Sequence, residues 1–234
     1  MALPLVIFSA IMRRRIQESA VFRRVAESSE PPKAPLSEVL KHHRLPMLRV
    51  FLISLGQNVG YWVGFVFMSI YLITYLKYDK TSVYWAMSLV SITMAMLMPM
   101  WGGISDRIGR KKVLYIGFAA YAVLVIPMMM LMNLHNTALT FVALFIFALP
   151  MPIVQSVGYP TYAEQFPTRV RYTGMAFSFN FGTILGGGVT PYIATALIGH
   201  TGNLLSPAYL LVAAAVIGFV TLTGVRETAD EALA

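Results

Sequence analysis

The stretch that decides the fold is GGISDRIGRKKV, residues 102–113. It holds three glycines, one carboxylate (Asp106) and four cations, and long apolar stretches flank it on both sides. Lys and Arg hold a connector on the cytoplasmic side of a membrane, and glycines let two helices approach closely. The stretch is therefore typical of a tight connection between two membrane helices.

The composition supports a membrane protein. Hydrophobic residues make up 57% of the 234 residues and charged residues only 12%, whereas a soluble domain carries about 25% charged residues. A net charge of +8 would suit nucleic-acid binding, but the cations fall in a few blocks between long uncharged stretches. Cytoplasmic loops have this pattern, so we expect no nucleic-acid partner. Without cysteine, disulfides are excluded.

Six apolar stretches are long enough to cross a bilayer, which takes about 20 residues of helix. We therefore expect an all-α membrane protein with a six-helix transmembrane domain over residues 47–226. Short connectors separate the expected spans, which lie near residues 48–76, 82–101, 113–132, 138–161, 173–198 and 207–225.

The distribution of cations orients these spans. All 18 lysines and arginines except Lys77 and Lys80 fall on one side of the alternating topology. Cations accumulate on the cytoplasmic side, so we expect both termini there, in a multi-pass protein of the cell (inner or plasma) membrane. Residues 13–46 would then be a cytoplasmic linker and residues 227–234 a cytoplasmic tail.

The first 46 residues leave two alternatives open. Residues 13–28, RRRIQESAVFRRVAES, could form an amphipathic helix on anionic lipid, or belong to a solvated loop that joins two membrane halves. Residues 1–12, MALPLVIFSAIM, would reach only ~18 Å as a helix, short of a ~30 Å hydrocarbon core. Their cations follow the apolar run, unlike those of a signal peptide. We expect them to be the remnant of a preceding transmembrane helix.

Two motifs carry a family resemblance. Gly102-x-x-x-Asp106-Arg107-x-Gly109-Arg110-Lys111 resembles the signature hairpin of the major facilitator superfamily, which joins the second and third helices of each six-helix half. Residues 159–195 resemble the tenth-to-eleventh helix region of the metabolite:proton symporter family. Their characteristic run is Glu164-x-Phe166-Pro167-Thr168-Arg169-x-Arg171-x-Thr173-Gly174. RRRIQESAVF is similar to the end of that family's sixth helix.

This resemblance covers essentially the whole chain and implies a C-terminal half, helices seven to twelve, of a major facilitator fold. It implies a proton-coupled symporter of a small polar or anionic metabolite that works by alternating access. The partners would be the lipid bilayer, the substrate, protons and the missing N-terminal half. The alternative is a truncated, orphan membrane protein that transports nothing.

The resemblance also implies a gate at the cytoplasmic boundary, where Asp106 would stabilise the outward-facing state by contacting the other half. From its chemistry, Asp106 can either accept hydrogen bonds from helix N-terminal amides or pair with a neighbouring arginine. The expected gate residues are Gly102, Asp106, Arg107, Gly109, Arg110, Lys111, Glu164, Arg169 and Arg171.

Polar residues inside membrane spans are costly and usually face the bundle or a cavity. Helices interrupted by Pro or Gly are where transporters bind and gate, and the fourth span has Pro150, Pro152 and Pro160. The fifth has Gly186–Gly188 followed by Pro191. We expect a substrate cavity, with plain helix-to-helix hydrogen bonds as the alternative. Its lining would be Gln57, Asn58, Tyr61, Gln155, Tyr159 and Asn180.

Several absences complete the prediction. No Asp, Glu, Lys, Arg or His lies in the middle of an expected span, so a proton relay would have to lie in the missing half. The sequence has no P-loop, no zinc-ligand spacing and no intramembrane nucleophile–base pair. We therefore expect no enzyme, no cofactor and no metal site.

Overall fold

The computed structural model describes residues 35–227, and within them the chain forms helices and no strand. The helices are α1 (Pro35–His42), α2 (Arg44–Tyr61), α3 (Lys80–Ile108), α4 (Arg110–Met132), α5 (Thr137–Ala148), α6 (Pro150–Glu164), α7 (Arg171–Thr183), α8 (Thr190–Thr201) and α9 (Ser206–Thr221). The predicted helix remnant at 1–12, both alternatives for 13–28, and residues 228–234 lie outside the described residues.

Six stretches of the described chain are long and apolar enough to cross a membrane, which confirms the predicted all-α class and the six spans. They are Arg44–Tyr75, Lys80–Ile108, Arg110–Met132, Thr137–Glu164, Arg171–Thr201 and Ser206–Gly224. Short connectors join them, so successive spans alternate in direction. Two connectors supply capping side chains, because Asp79 accepts from the Ser82 backbone N–H and Asn136 from that of Leu139. The bonds to Ser82 lower the pKa of the exposed Asp79 carboxyl.

Two spans are interrupted where proline and glycine predict it. The fourth consists of α5 and α6, because α5 ends at Ala148 and α6 begins at Pro150. Pro160, by contrast, lies inside α6 without ending it. The fifth changes to a π-helix at Ile184–Gly188 before α8 begins. Such i→i+5 turns are rare overall but frequent at functional sites.

The first span holds two further irregularities that its sequence does not reveal. After α2, the chain is π-helical at Trp62–Phe67 and again at Tyr71–Tyr75. Neither segment contains proline, and the two segments together contain a single glycine, Gly64. The first span is therefore regular near its start and irregular over its second half.

The GGISDRIGRKKV stretch is more helical than its charges suggest. α3 continues to Ile108 and α4 begins at Arg110, so Gly109 alone separates the two helices. Its φ of +106° lies in the region that favours glycine. Among residues 35–227, a Cβ at Gly102 or Gly103 would meet nothing within 4 Å, so the expected close helix approach does not occur between the described helices.

α2 is the central helix, and its glycines bring it into close contact with its neighbours. A Cβ at Gly56 would lie 2.8 Å from the Ala214 carbonyl oxygen, and one at Gly60 would lie 2.7 Å from the Tyr121 ring. At Gly64 the distance to the Phe147 ring would be 3.1 Å. Gly56 and Gly60 of α2, and Gly64 in the π-helical segment that follows it, therefore mark a packed helix face.

This packing makes Gly56→Ala destabilising. The new methyl group would overlap a backbone carbonyl that cannot rotate away, and overpacking of this kind costs about 1–3 kcal/mol. The matched control is Gly199→Ala in α8, where a Cβ meets nothing within 4 Å. We expect thermal unfolding in detergent to shift down for the first variant and to stay level or rise slightly for the second. Equal shifts would contradict the assigned packing.

Candidate substrate pathway and gate

One end of the bundle, here called the basic end, gathers the ends of α3 and α6 with the start of α4. Arg110 connects them. Its Nε lies 2.8 Å from a Glu164 carboxylate oxygen, and its Nη1 lies 3.1 Å from Asp106 Oδ1. The Arg110 and Glu164 side chains are only 18% and 12% exposed, whereas Asp106 is 65% exposed. The Arg110–Glu164 pair is thus shielded from solvent, and Asp106 is an outer partner.

A second carboxylate, Glu227, covers the start of α4. It accepts hydrogen bonds from the backbone N–H groups of Arg110 and Lys111, at 2.9 and 3.2 Å. Negative charge is stabilised there because the first amides of a helix have no intrahelical acceptor and the helix dipole is positive at that end. Asp106 therefore takes the second of its two predicted roles, the pairing with arginine, while Glu227 binds the helix amides.

Lys111, at the start of α4, makes the reciprocal contact with the end of α9. Its Nζ donates to the carbonyl oxygens of Thr223 and Val225, at 3.2 and 3.0 Å, just after α9. The start of α4 and the end of α9 thus stabilise each other through opposite charges. Gly109 makes this possible, because a Cβ there would lie 2.7 Å from Glu227 Oε2.

Sequence reasoning missed Glu227 and assigned it to a tail. The available signal was its position, since it is the first carboxylate after the last apolar span and lies at the end of the bundle that carries the cations. No spacing rule links it to residues more than 100 positions earlier.

The remaining expected gate residues lie at the same end. Arg169 Nη2 lies 2.6 Å from Glu38 Oε1, which ties α1 to the connector between α6 and α7. Arg171 Nε donates to the Phe166 carbonyl at 3.2 Å. Arg107 is exposed at the last turn of α3. The structure therefore brings the two motifs together around Arg110 and leaves Arg107 at the surface.

Deeper in the bundle, α2 and α6 share a chain of hydrogen bonds. The buried Tyr162 hydroxyl donates to Gln57 Oε1 at 2.5 Å, and Gln57 Nε2 donates to Gln155 Oε1 at 2.6 Å. Gln57 is 1% exposed, whereas Gln155 is partly exposed. Gly158 leaves the space that the Gln57 amide occupies. The chain of bonds thus runs from the buried Tyr162 through the buried Gln57 to the partly exposed Gln155.

Aromatic rings border these two glutamines. Tyr159 is 40% exposed, and its side chain interacts with Gln57 and lies near Tyr61. Its ring centroid lies 5.2 Å from that of Phe179. Tyr61 stacks on Phe65 at 5.6 Å. We call the surface formed by Gln155, Tyr61 and Tyr159 the polar wall; Tyr162, which the sequence did not single out, supports it from behind.

Two expected cavity residues lie elsewhere. Asn58 is buried, donates to the Ser54 carbonyl, and packs against Gly186. Asn180 is exposed, donates to the Ala176 carbonyl, and borders a surface groove with Tyr172 and Ile184. The structure therefore unites four of the six expected residues, two of α2 and two of α6, and separates both asparagines from them.

Comparison with known proteins finds similarity to membrane transporters. A sequence profile described as "Sugar (and other) transporter" matches residues 12–234. The glycine betaine/proline/ectoine/pipecolic acid transporter OusA of Dickeya dadantii is 31% identical over 100% of this chain and 48% of its own length. The proline/betaine transporter of Escherichia coli K12 is 30% identical over 99% of this chain, and the ectoine/proline transporter ProP of Corynebacterium glutamicum 29% over 99%. The chain spans about half the length of these curated relatives.

The shielded Arg110–Glu164 ion pair should contribute measurably to the free energy of unfolding. In a double-mutant cycle of Arg110→Gln and Glu164→Gln, we expect a coupling of about 0.5–3 kcal/mol in the free energy of unfolding, as for partners in one network. The matched control is the Arg169–Glu38 pair, whose side chains are 44% and 23% exposed. Exposed pairs contribute about 0–1 kcal/mol. A coupling for Arg110–Glu164 no larger than that control would contradict its assigned role.

Proposed function

Because this chain belongs to the sugar (and other) transporter family, we propose that its six spans form one half, helices seven to twelve, of a proton-coupled secondary transporter for small zwitterionic solutes. The observation that carries the proposal is the polar wall, which sets a partly exposed amide and two tyrosines beside the buried Tyr162–Gln57 hydrogen bond. Buried polar groups in a membrane are costly, and those that face a pathway usually serve it. Transport, rather than catalysis, is also what the names of the relatives describe.

The absence of charged residues in the middle of the described spans indicates which class of solute this half could bind. Relatives are named for glycine betaine, proline and ectoine. The described residues place no Asp, Glu, Lys, Arg or His in the middle of a span. A net anion would need a cation from the other half, whereas a zwitterion has no net charge to neutralise. The proton relay is likewise assigned to the other half.

The other half would cover two apolar surfaces that this bundle leaves exposed. One lies on α3 and includes Trp85 and Met96; the other lies on the fifth span and includes Tyr172 and Ile184. In transporters of this kind, one bundle rocks against the other around a site at the membrane midplane. The partners are therefore the lipid bilayer, the substrate, protons and a second six-helix half.

The basic end would act as the gate, with Arg110 holding Asp106 and Glu164. These residues lie at the ends of their spans, away from the midplane where transporters bind cargo. Asp106 is the exposed member, so it is the one placed to contact a second bundle. We assign this end, and both termini, to the cytoplasmic side of the inner or plasma membrane.

Single cysteines test this topology, since the chain has none of its own. Cysteines in place of the exposed Lys80 and His200 should react with a membrane-impermeant thiol reagent in intact cells. Cysteines in place of the exposed Lys112 and Pro167 should react only after permeabilisation, which also serves as the accessibility control. Labelling at Lys112 in intact cells would overturn the orientation.

Reconstitution tests the activity. The chain is placed in liposomes alone, and together with the half of the Escherichia coli relative that the match leaves uncovered. With an imposed proton gradient, we expect uptake of labelled glycine betaine only when both halves are present, because one bundle supplies only one wall of the site. Uptake by the chain alone would contradict the half-transporter proposal. No uptake with this partner, and none with an N-terminal half taken from the same organism as this chain, would favour the non-transporting alternative.

A further inference from the structure

We propose that the polar wall recognises the two ends of a zwitterion separately: the Gln155 amide N–H groups bind the carboxylate, and the rings of Tyr61 and Tyr159 bind the ammonium. This inference rests on the proposed function and specifies the chemistry of its site. It also assigns Tyr162 a positioning role, because Tyr162 acts on the solute only through Gln57 and Gln155.

The hydrogen bonds of Gln57 determine which group of the Gln155 amide can face a solute. The Tyr162 hydroxyl donates to Gln57 Oε1, which leaves the Gln57 amide nitrogen to donate to Gln155 Oε1. The oxygen of Gln155 therefore faces Gln57 and accepts from it, and the NH₂ group supplies the donors that this side chain can offer to a solute. An amide NH₂ presents two donors, which suits a carboxylate and does not suit an ammonium.

Helix geometry determines the direction in which the Tyr61 and Tyr159 side chains point. Tyr61 lies one turn after Gln57, and Tyr159 lies one turn after Gln155. Long side chains on a helix lean toward its N-terminus, and the first and fourth spans run in opposite directions. Tyr61 and Tyr159 therefore lean toward the same level, that of the two glutamines. Their proximity agrees with this geometry.

The tyrosine rings, rather than a carboxylate, would attract the cationic end of the solute. Residues 35–227 provide no mid-span carboxylate that could neutralise an ammonium group. The negative face of an aromatic ring attracts a weakly hydrated cation within about 6 Å of its centroid. Phe65 and Phe179 hold the two tyrosine rings by direct ring contacts. Side chains one turn apart lie about 5–6 Å apart at Cβ, so Gln155 and Tyr159 match a solute whose two charges are close together.

Three small molecules separate these contributions. Glycine betaine has both charges, 3,3-dimethylbutanoate replaces its trimethylammonium by a neutral tert-butyl group of the same shape, and choline replaces its carboxylate by a hydroxyl-bearing carbon. Each is titrated onto the full chain in lipid nanodiscs and followed by saturation-transfer NMR of the ligand. We expect glycine betaine to bind about three- to thirty-fold more tightly than 3,3-dimethylbutanoate, and more tightly than choline.

Variants then assign each end. Gln155→Glu should reverse the order of glycine betaine and choline, because a carboxylate repels one and attracts the other, whereas Gln155→Met should remove the preference without reversing it. Tyr61→Leu or Tyr159→Leu should remove the preference for glycine betaine over 3,3-dimethylbutanoate. Tyr162→Phe should weaken only the discrimination against choline. The matched control is Tyr209→Leu, an exposed tyrosine on α9 outside the polar wall.

Equal binding of glycine betaine and 3,3-dimethylbutanoate by the unaltered chain would overturn the ammonium site. An unchanged order in Gln155→Glu would overturn the carboxylate site, and absence of binding by all three molecules would overturn both. Because binding is measured on the chain by itself, these failures are distinct from a failure of uptake in the two-half reconstitution.

Discussion

In lipid, every polar group that leaves water must find a partner within the protein, and the hydrogen-bond chain from Tyr162 through Gln57 to Gln155 meets that requirement here. Gln57 lies on the central helix α2 with almost no exposure, so its amide must be bonded at both ends. The glycines of α2 bring its neighbours close, and Gly158 on α6 leaves room for the amide. Close packing and polar satisfaction thus depend on the same contacts, which fix the orientation of the Gln155 amide.

The basic end meets a different constraint. There, helix ends present unpaired amides and carbonyls, and charges can remain partly hydrated. Glu227 and Lys111 satisfy these groups between α4 and α9, while Arg110 joins α3, α4 and α6. Asp106 and Glu227 lie exposed at the surface of this end, whereas Gln57 lies in the buried core. In the proposed two-half transporter, the basic end would break and re-form contacts while the polar wall keeps its shape.

Much of this architecture was predictable from the residues. Six apolar stretches marked the spans, and the prolines and glycines of the fourth and fifth spans marked their interruptions. The rarity of polar residues in spans singled out Gln57 and Gln155 together with Asn58 and Asn180, but it predicted neither the Gln57–Gln155 hydrogen bond nor the separation of the two asparagines from it. Adjacent residues on a helix point about 100° apart, so which one faces a neighbour depends on packing that no local pattern records. Glu227 was missed for a related reason, since its partners are distant in sequence and are backbone amides.

The central claim is that the polar wall is the solute-binding surface of a two-half transporter. The most direct test is a cryo-electron microscopy structure of the reconstituted two-half assembly with glycine betaine. We expect the carboxylate within hydrogen-bonding distance of the Gln155 amide nitrogen, and the trimethylammonium group within about 6 Å of the Tyr61 or Tyr159 ring centroid. A solute bound elsewhere, with Gln155 and both tyrosines covered by protein or lipid, would contradict the account.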